Sequence, residues 1–256
     1  MKRKLFDFLN FFILFTVLTA VWWFLYLLKI WPSWVLPSPW SVFAKIFSGL
    51  ADFSLVSGMF ISLGRVIFGF SLSFIFGTLI GFLISKNIWL KTYFKPLILG
   101  LQTLPSICWL PLALLWFGLN EKAIIFVVIM GTVLSVTISV ESAIANISSN
   151  YIKAGLILGA NKINLYKYII FPAILPSYIN AARQGWSFAW RSLMSGEMLF
   201  ITVGLGQLLM FGRELNDMSQ VMAVMIVIII VGAFFDQAIF AGIEKRIRLK
   251  WGLTNR

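Results

Sequence analysis

Three ionisable residues, Arg183, Arg191 and Glu197, interrupt an otherwise apolar run over residues 177–203. Arg183 is shallow enough to reach the cytoplasmic interface, whereas the other two are deeper. Counted from Pro176 at about 1.5 Å per residue, Arg191 lies about 22 Å along a helix. Glu197 lies about 9 Å further and about 120° around the axis, so the two side chains cannot pair on one helix. Each needs a partner on another helix, on another subunit or in a transported ion. A place for Arg191 on a path for anions and a purely structural contact are equally compatible with this pattern.

Other catalytic chemistry has little support in the sequence. There is no histidine and only one cysteine, Cys108, which removes the commonest acid/base group and any cysteine metal cluster. The stretch GLILGANK over residues 155–162 has the wrong spacing for a phosphate-binding loop and lacks the following Ser or Thr. We therefore expect no enzyme activity, metal or cofactor on this chain.

The composition indicates an integral membrane protein. Hydrophobic residues make up 60% of the chain and charged residues 12%, and the mean hydropathy is +0.94. A soluble domain could not bury that much apolar surface. Six runs approach the roughly 20 residues that a membrane helix needs; they cover residues 8–28, 66–85, 96–120, 123–140, 177–203 and 218–235. The sequence predicts an all-α, polytopic protein with about six transmembrane helices.

The basic residues predict the orientation. A net charge of +12 could suggest nucleic acid, but the lysines and arginines cluster between apolar runs, as in cytoplasmic loops. Residues 2–4, 86–95, 153–167 and 245–256 hold most of them, which places both termini in the cytoplasm of a multi-pass protein of the cell membrane. Residues 31–61 then form an extracytoplasmic segment, a turn followed by a short interfacial helix, between a first helix (1–30) and the main domain (62–256).

A polar insert, NYIKAGLILGANKINLYKYIIFPAILP over residues 150–176, separates two apolar regions on the predicted cytoplasmic side. Ser148 and its neighbours are good helix caps, and an apolar stripe continues through Leu156 and Ile163 at helical spacing. Gly159 offers a helix stop, and a second short helix over 162–170 is expected to end before Pro172. On pattern alone, the insert could lie on the bilayer surface or dock into a protein groove.

The insert resembles the cytoplasmic signature loop of binding-protein-dependent ABC transporter permeases. That loop reads E-A-A, three residues, Gly, nine residues, Ile, one residue, Leu-Pro. Here K-A-G at residues 153–155, Gly159, Ile169 and F-P at 171–172 keep the spacing, with departures at Lys153, Gly155 and Phe171. The segments SLGRVIFGFSLSFIFGTLIGFLI, LQTLPSICWLPLALLWFGLNEKA and QGWSFAWRSLMSGEML resemble the branch that imports nitrate, sulfonates and taurine.

This resemblance implies a role for the insert and for the third run. The insert would be a coupling helix seated in a groove of a separate ATPase. Its contact residues would be Lys153, Ala154, Gly155, Leu156, Gly159, Ala160 and Ile163. The third run contains LPSICWLP, whose prolines predict either a packing kink or a break that lines a cavity. In the family this segment faces the translocation pathway, so Ser106 and Trp109 join Arg191 and Glu197 as pathway candidates.

The resemblance also implies partners. A second permease subunit, expected to be another copy of this chain, would pair with it in the lipid bilayer. Two cytoplasmic ATPase subunits would bind ATP and Mg²⁺, and an extracytoplasmic solute-binding protein would deliver a small anionic solute. No nucleic acid is expected. The alternative is a secondary transporter or channel that works without ATP, although that class predicts intramembrane carboxylate relays or a filter motif.

Overall fold

The computed structural model describes residues 2–199, 202–244 and 247, and every regular element within them is helical. The elements are α1 (Lys2–Leu27), α2 (Pro39–Ala51), α3 (Ser54–Lys86), α4 (Ile88–Gln102), a 3₁₀ turn (Ser106–Trp109), α5 (Leu110–Phe117), α6 (Glu121–Ala145), α7 (Ser149–Ile157), α8 (Lys162–Leu165), a π turn (Tyr166–Ile170), α9 (Phe171–Glu197), α10 (Leu205–Glu214), α11 (Met218–Phe235) and a second π turn (Asp236–Ala241). The all-α prediction is confirmed.

The described helices differ in how well they suit a bilayer. Three are each long and apolar enough to cross one: α3, α6 and the continuous helix Met218–Glu244 that begins with α11. The α4–α5 pair would give a fourth span or a re-entrant loop, and α1 contributes the shorter apolar helix Phe12–Leu27. Helix α9 has 27 residues but a more polar sequence. Each predicted run falls on one of these helical segments, while the number of crossings and the side of each terminus remain predictions.

The third predicted run is not a straight span. Helices α4 and α5 meet at a bend of 101°, and the chain leaves helical geometry around Pro105, which is extended at φ −55° and ψ 141°. Proline has no N–H to continue the hydrogen-bond ladder, and it disfavours a helical conformation in the preceding residue. A proline within this run therefore splits the predicted helix over 96–120 into two.

The core is built by α3, α6 and α9, which pack against one another. Small residues on α3 permit this close approach. A Cβ added at Gly77 would lie 2.8 Å from Val136, and one at Gly81 would lie 2.6 Å from the Thr137 carbonyl oxygen. The glycine face of α3 is thus used to pack on α6 within this chain.

The segment before α3 contains the short helix that the sequence predicts. Ser38 caps α2 by accepting a hydrogen bond from the Ser41 N–H, and Pro39 opens the helix with the fixed φ suited to that position. Helix α3 then starts at Ser54 and runs without interruption across residues 61 and 62. The predicted division between those two residues therefore falls inside a helix.

The polar insert folds as a bent unit over residues 149–170, named here the elbow. Ser148 caps α7 as predicted, and Gly159 ends it with φ +81°. The Gly159 N–H donates to the Leu156 carbonyl and the Ala160 N–H donates to the Gly155 carbonyl, which together form a Schellman motif.

The second half of the elbow differs from the sequence prediction. No break separates it from the following helix, because α8, the π turn and α9 are consecutive. The Phe171 N–H donates to the Tyr166 carbonyl across the wider π turn. Pro172 lies two residues after this π turn, and local π adjustments of this kind satisfy backbone groups that a proline frees inside a helix. The proline is accommodated, so it does not end the helix.

Candidate functional site

A cavity of about 260 Å³ lies where the α4–α5 bend meets α6 and α9. Its lining includes Gln102, Ser106, Trp109, Gly131, Arg191 and Ser192. The bend brings Ser106 and Trp109 to the cavity because they begin and end its 3₁₀ turn. Three of the four pathway candidates therefore meet at one place, although they are far apart in the sequence.

Arg191 contributes a cation to this cavity. Its Nε donates to the Ser187 carbonyl at 3.1 Å, and its guanidinium lies over the Phe188 ring at 4.6 Å from the centroid. Its two terminal nitrogens form no hydrogen bond or ion pair with the described residues. Arg191 also borders a second cavity, between α9 and α11. The guanidinium is thus held by backbone and ring contacts and retains donors for a further acceptor.

Trp109 has two roles in this arrangement. It is half-buried and packs against the main hydrophobic cluster, while part of its side chain lines the cavity. Gln102 adds a buried amide whose Oε1 has no hydrogen-bond partner among the described residues. The cavity wall thus offers a cation, two hydroxyls and an amide, an arrangement suited to a small polar anion.

Glu197 lies elsewhere, in a fully buried cluster. Its carboxylate accepts hydrogen bonds from the Ser62 hydroxyl at 2.7 and 2.9 Å, from Arg65 Nη1 at 2.9 Å and from the Gly206 N–H at 3.0 Å. Arg65 also donates to the Val203 carbonyl at 2.8 Å. The cluster ties α3 to the end of α9 and to the start of α10.

The placement of Glu197 revises its predicted role. It does not line the cavity of Ser106, Trp109 and Arg191, and its oxygens are occupied by groups of the same chain. A Cβ added at Gly204 would lie 2.6 Å from the Glu197 carboxylate, and one at Gly206 would lie 2.6 Å from the Glu197 Cβ. Both glycines let the backbone close around the carboxylate, so we assign Glu197 to structural support.

Sequence reasoning missed the main partner of Glu197. Arg65 is only 6% exposed and also pairs with Glu121 at 2.8 Å. It stands one residue before the uncharged run 66–85, so a search for charges inside the apolar runs does not include it. The sequence did contain a clue to this pair. Glu197 needed a partner on another helix, and Arg65 is the single arginine next to the run 66–85.

Two further ion clusters were missed, at the opposite end of the helices. Glu141 is fully buried near the end of α6 and pairs with Lys95 at 2.6 Å and with Lys91 at 3.5 Å. Arg183 of α9 pairs with Asp236 at 2.5 Å and with Glu244 at 3.2 Å. These contacts join α4 to α6, and α9 to the last described helix.

Most of the predicted coupling residues lie on the outside of the elbow. Lys153, Ala154, Leu156, Gly159 and Ile163 are exposed, and Ala160 is half-buried. Gly155 is buried because Ile169 of the π turn packs directly against it. A Cβ added at Gly155 would overlap the Ile169 side chain. We therefore reassign Gly155 to packing inside the elbow.

The elbow also presents apolar side chains that the sequence did not single out. Ile157 is 85% exposed and Leu158 is 86% exposed, directly before the Gly159 turn. Leu156 and Ile163 are exposed as well, so four apolar side chains face outward near the Gly159 turn, and these four are named here the apolar patch. Such a patch on a polar segment is typical of a protein interaction site.

The fold and the buried charges define an all-α integral membrane protein with a cavity between its helices that holds several polar groups. Residues 73–249 match the family described as "Binding-protein-dependent transport system inner membrane component". The match covers more than half of the sequence, so the chain belongs to this family, and the predicted resemblance is confirmed. The family match assigns the general role of the chain, which is the permease component of an ABC importer.

Individual relatives agree with this assignment. A putative ABC transporter permease of Methanocaldococcus jannaschii is 33% identical over 187 residues, which cover 73% of this chain and 70% of the relative. A putative aliphatic sulfonates transport permease of Bacillus subtilis is 26% identical, with 97% of this chain and 90% of the relative covered. The solved methionine ABC transporter MetNI, in an inward-facing conformation, has a chain with a TM-score of 0.66 and 20% identity; the alignment covers 76% of this chain and 96% of that one. This last likeness shows the fold alone.

Proposed function

We propose that this permease moves a small anionic solute, such as nitrate, a sulfonate or taurine, across the cell membrane. The observation that carries the proposal is the Arg191 guanidinium, which lines a cavity with several polar groups and has no acidic partner among the described residues. A sulfonate permease among its relatives supports the same class of solute. Ser106, Gln102 and Ser192 would supply further donors to the solute oxygens.

Arg191 is the residue that tests this proposal. In the assembled transporter, Arg191→Gln is expected to lower uptake of a sulfonate at least tenfold, because a hydrogen bond to a charged group contributes about 1.5–3 kcal/mol. Arg191→Lys should retain part of the activity, since it keeps the charge but not the planar donor pair. Lys122→Gln removes one exposed charge at the start of α6 and serves as the matched control. Normal anion uptake in both Arg191 variants would contradict a role in the pathway.

Energy for this movement would come from separate ATPase subunits that bind ATP and Mg²⁺. We propose that the elbow docks into one such subunit through the apolar patch of Leu156, Ile157, Leu158 and Ile163, with Lys153, Ala154, Gly159 and Ala160 beside it. Closure of the ATPase dimer would move the elbow and switch the cavity between outward and inward access.

Copurification tests the elbow separately from the cavity. Leu158→Asp should strongly reduce the amount of ATPase recovered with a tagged permease, because burying a leucine contributes about 1.5–3 kcal/mol and the new carboxylate must be desolvated. Asn164→Asp, which changes an exposed polar position of the elbow, is the matched control. Equal recovery with both variants would remove the docking role.

We further propose a pair of identical permease chains and an extracytoplasmic solute-binding protein in the complete transporter. Native mass spectrometry of the purified complex should find two permease chains with two ATPase chains. Uptake that persists after the ATPase is inactivated would instead favour a secondary transporter or a channel.

A further inference from the structure

A larger groove, of about 1050 Å³, lies apart from the Arg191 cavity. Its walls come from the last part of α3, the end of α6, the second half of the elbow and the start of α9. The groove shares no lining residue with the Arg191 cavity. The solute path proposed above therefore leaves it without a role.

The mouth of the groove is basic. Lys86 and Lys167 both line it, and no acidic residue does. The Lys86 ammonium lies 4.2 Å from the Phe82 ring centroid and 4.5 Å from that of Tyr166, so two aromatic faces hold it in place. Neither lysine forms an ion pair with an acidic side chain of the described residues. These ammonium groups can therefore bind an external anion.

The inner part of the groove is mostly apolar, and with Lys86 at the predicted cytoplasmic boundary it lies at membrane depth. A hydrogen bond of 3.1 Å between the Thr78 and Tyr178 hydroxyls lies in its inner wall. Thr78 precedes Lys86 by two turns of the continuous helix α3, which places it about 12 Å deeper. One leaflet contributes about 15 Å of hydrocarbon. A soluble subunit would have to enter the bilayer core to fill this space, whereas an acyl chain is already there.

The outer face of α3 continues the groove into the lipid region. Leu79 lines the groove and is 55% exposed, and its neighbours on the helix, Ile75, Phe76 and Leu83, are also exposed. Phe171 gives the opposite wall a similarly exposed ring. An acyl chain could enter sideways from the bilayer along this continuous apolar surface.

We propose that this groove binds an anionic phospholipid of the cytoplasmic leaflet. The phosphate lies between Lys86 and Lys167, and the acyl chains follow Leu79, Phe82 and Ile174. Basic pockets between membrane helices on the cytoplasmic side suit such headgroups. Because the lining includes Ile163 and Tyr166, the bound lipid contacts the elbow as well as α3.

Native mass spectrometry of the purified transporter tests this site with phosphatidylglycerol and phosphatidylcholine of identical acyl chains. Wild type should bind phosphatidylglycerol more tightly. The double variant Lys86→Gln, Lys167→Gln should lose about 25-fold in phosphatidylglycerol affinity, about fivefold for each lysine. The loss for phosphatidylcholine should be smaller, because its quaternary ammonium already neutralises its phosphate. The double variant Lys29→Gln, Lys122→Gln makes the same change in net charge at the other membrane face and should bind like wild type.

A second variant tests the acyl-chain region. Leu79→Trp fills the groove at an exposed position, so it should weaken binding of both lipids without lowering the unfolding temperature. Equal binding of the two lipids by wild type would overturn the proposal, as would equal losses in both double variants. A crosslink from Leu79→Cys, in a Cys108→Ser background, to a second copy of the chain would also overturn it, because the groove would then be a subunit interface.

Discussion

Two of the three charges on helix α9, Arg191 and Glu197, lie six residues apart, and their surroundings are opposite. Glu197 is fully buried and accepts hydrogen bonds from Ser62, Arg65 and the Gly206 backbone. Arg191 is exposed to a cavity and is held only by a backbone carbonyl and an aromatic ring. The two residues lie on different sides of the helix, so one faces the protein core and the other faces open space.

The difference shows that a charge inside an apolar run is not by itself a functional site. The Glu197 carboxylate has its partners within the chain, and Gly204 and Gly206 pack closely against it. The Arg191 guanidinium keeps its terminal donors available. We infer that Glu197 contributes mainly to stability and Arg191 mainly to solute contact, and substitutions at the two positions should separate these effects.

The largest effect on stability is expected from Glu197→Ala. This change leaves the Arg65 guanidinium buried without its main counter-charge, and breaking a buried pair costs about 3–5 kcal/mol. Denaturant unfolding of the purified chain in a defined detergent should show the loss. Ser187→Ala, an exposed position on the same helix, is the control and should change the free energy of unfolding by less than about 0.5 kcal/mol.

Removing the charges of both Arg65 and Glu197 tests whether the two side chains stabilise the protein as a pair. Arg65→Met combined with Glu197→Gln should be more stable than the sum of the single losses predicts, because neither buried charge then remains unpaired. Strictly additive losses would show that the two side chains act independently, and the structural role assigned to their pair would be wrong.

A smaller loss is expected on the cavity side of α9. Gly131 of α6 faces Ser192, and an added Cβ would overlap the Ser192 hydroxyl. Gly131→Ala should therefore cost about 1–3 kcal/mol through overpacking. It should also lower solute uptake, because the methyl group enters the cavity beside Ser106.

The double variant Gly131→Ala, Ser192→Ala distinguishes crowding from other causes. Removal of the hydroxyl should restore part of the lost stability, which would appear as a favourable coupling energy in a double-mutant cycle. If Gly131→Ala alone unfolds at the wild-type denaturant concentration, the close approach of α6 and α9 at this point is wrong.

Local chemistry explains which parts of this arrangement were predictable. Ser148 and Gly159 were assigned as the ends of α7 because a capping hydroxyl and a left-handed glycine act within a few residues. The apolar runs located the membrane helices because the length of an apolar run is also a local property of the sequence. The position of Arg191 along α9 needed only the helical rise.

The partners were not predictable, because they depend on packing over long distances. Arg65 and Glu197 are separated by 132 positions, and no local pattern connects them. Gly155 resembled a surface position until the Gly159 turn brought Ile169 back against it. The prolines of the third run predicted either a packing kink or a break, and the angle of 101° at Pro105 depends on contacts with α6 and α9.

A weaker effect is expected at the other buried carboxylate. Glu141 is as buried as Glu197, but its partners Lys91 and Lys95 are partly exposed and can turn to water when the charge is removed. Glu141→Gln should therefore cost about 1 kcal/mol, clearly less than Glu197→Gln measured in the same detergent. Equal losses at the two sites would show that burial of the carboxylate alone, rather than burial of its partner, sets the cost.

The smallest effect is expected at an exposed ion pair, which completes the comparison. Lys45 and Asp217 lie 2.6 Å apart, with side chains 44% and 27% exposed. Burial opposes the ionisation of Asp217, but hydrogen bonds from Lys45 and from the Gln220 N–H outweigh it and lower the pKa of this carboxyl below its ordinary value. Exposed pairs of this kind contribute about 0.2–1 kcal/mol.

The direction of the pH dependence follows from the lowered pKa of Asp217. Its contribution is fully present above the ordinary aspartate pKa of about 4 and is lost as the pH falls through the lower folded-state value. Asp217→Asn should remove this dependence while keeping the cap on α11, because an asparagine oxygen can still accept from the Gln220 N–H. Asp217→Ala removes both contacts and should cost about 1 kcal/mol more. Unfolding curves that are identical for the Asn and Ala variants would show that the cap contributes nothing, and the remaining effect would belong to the ion pair alone.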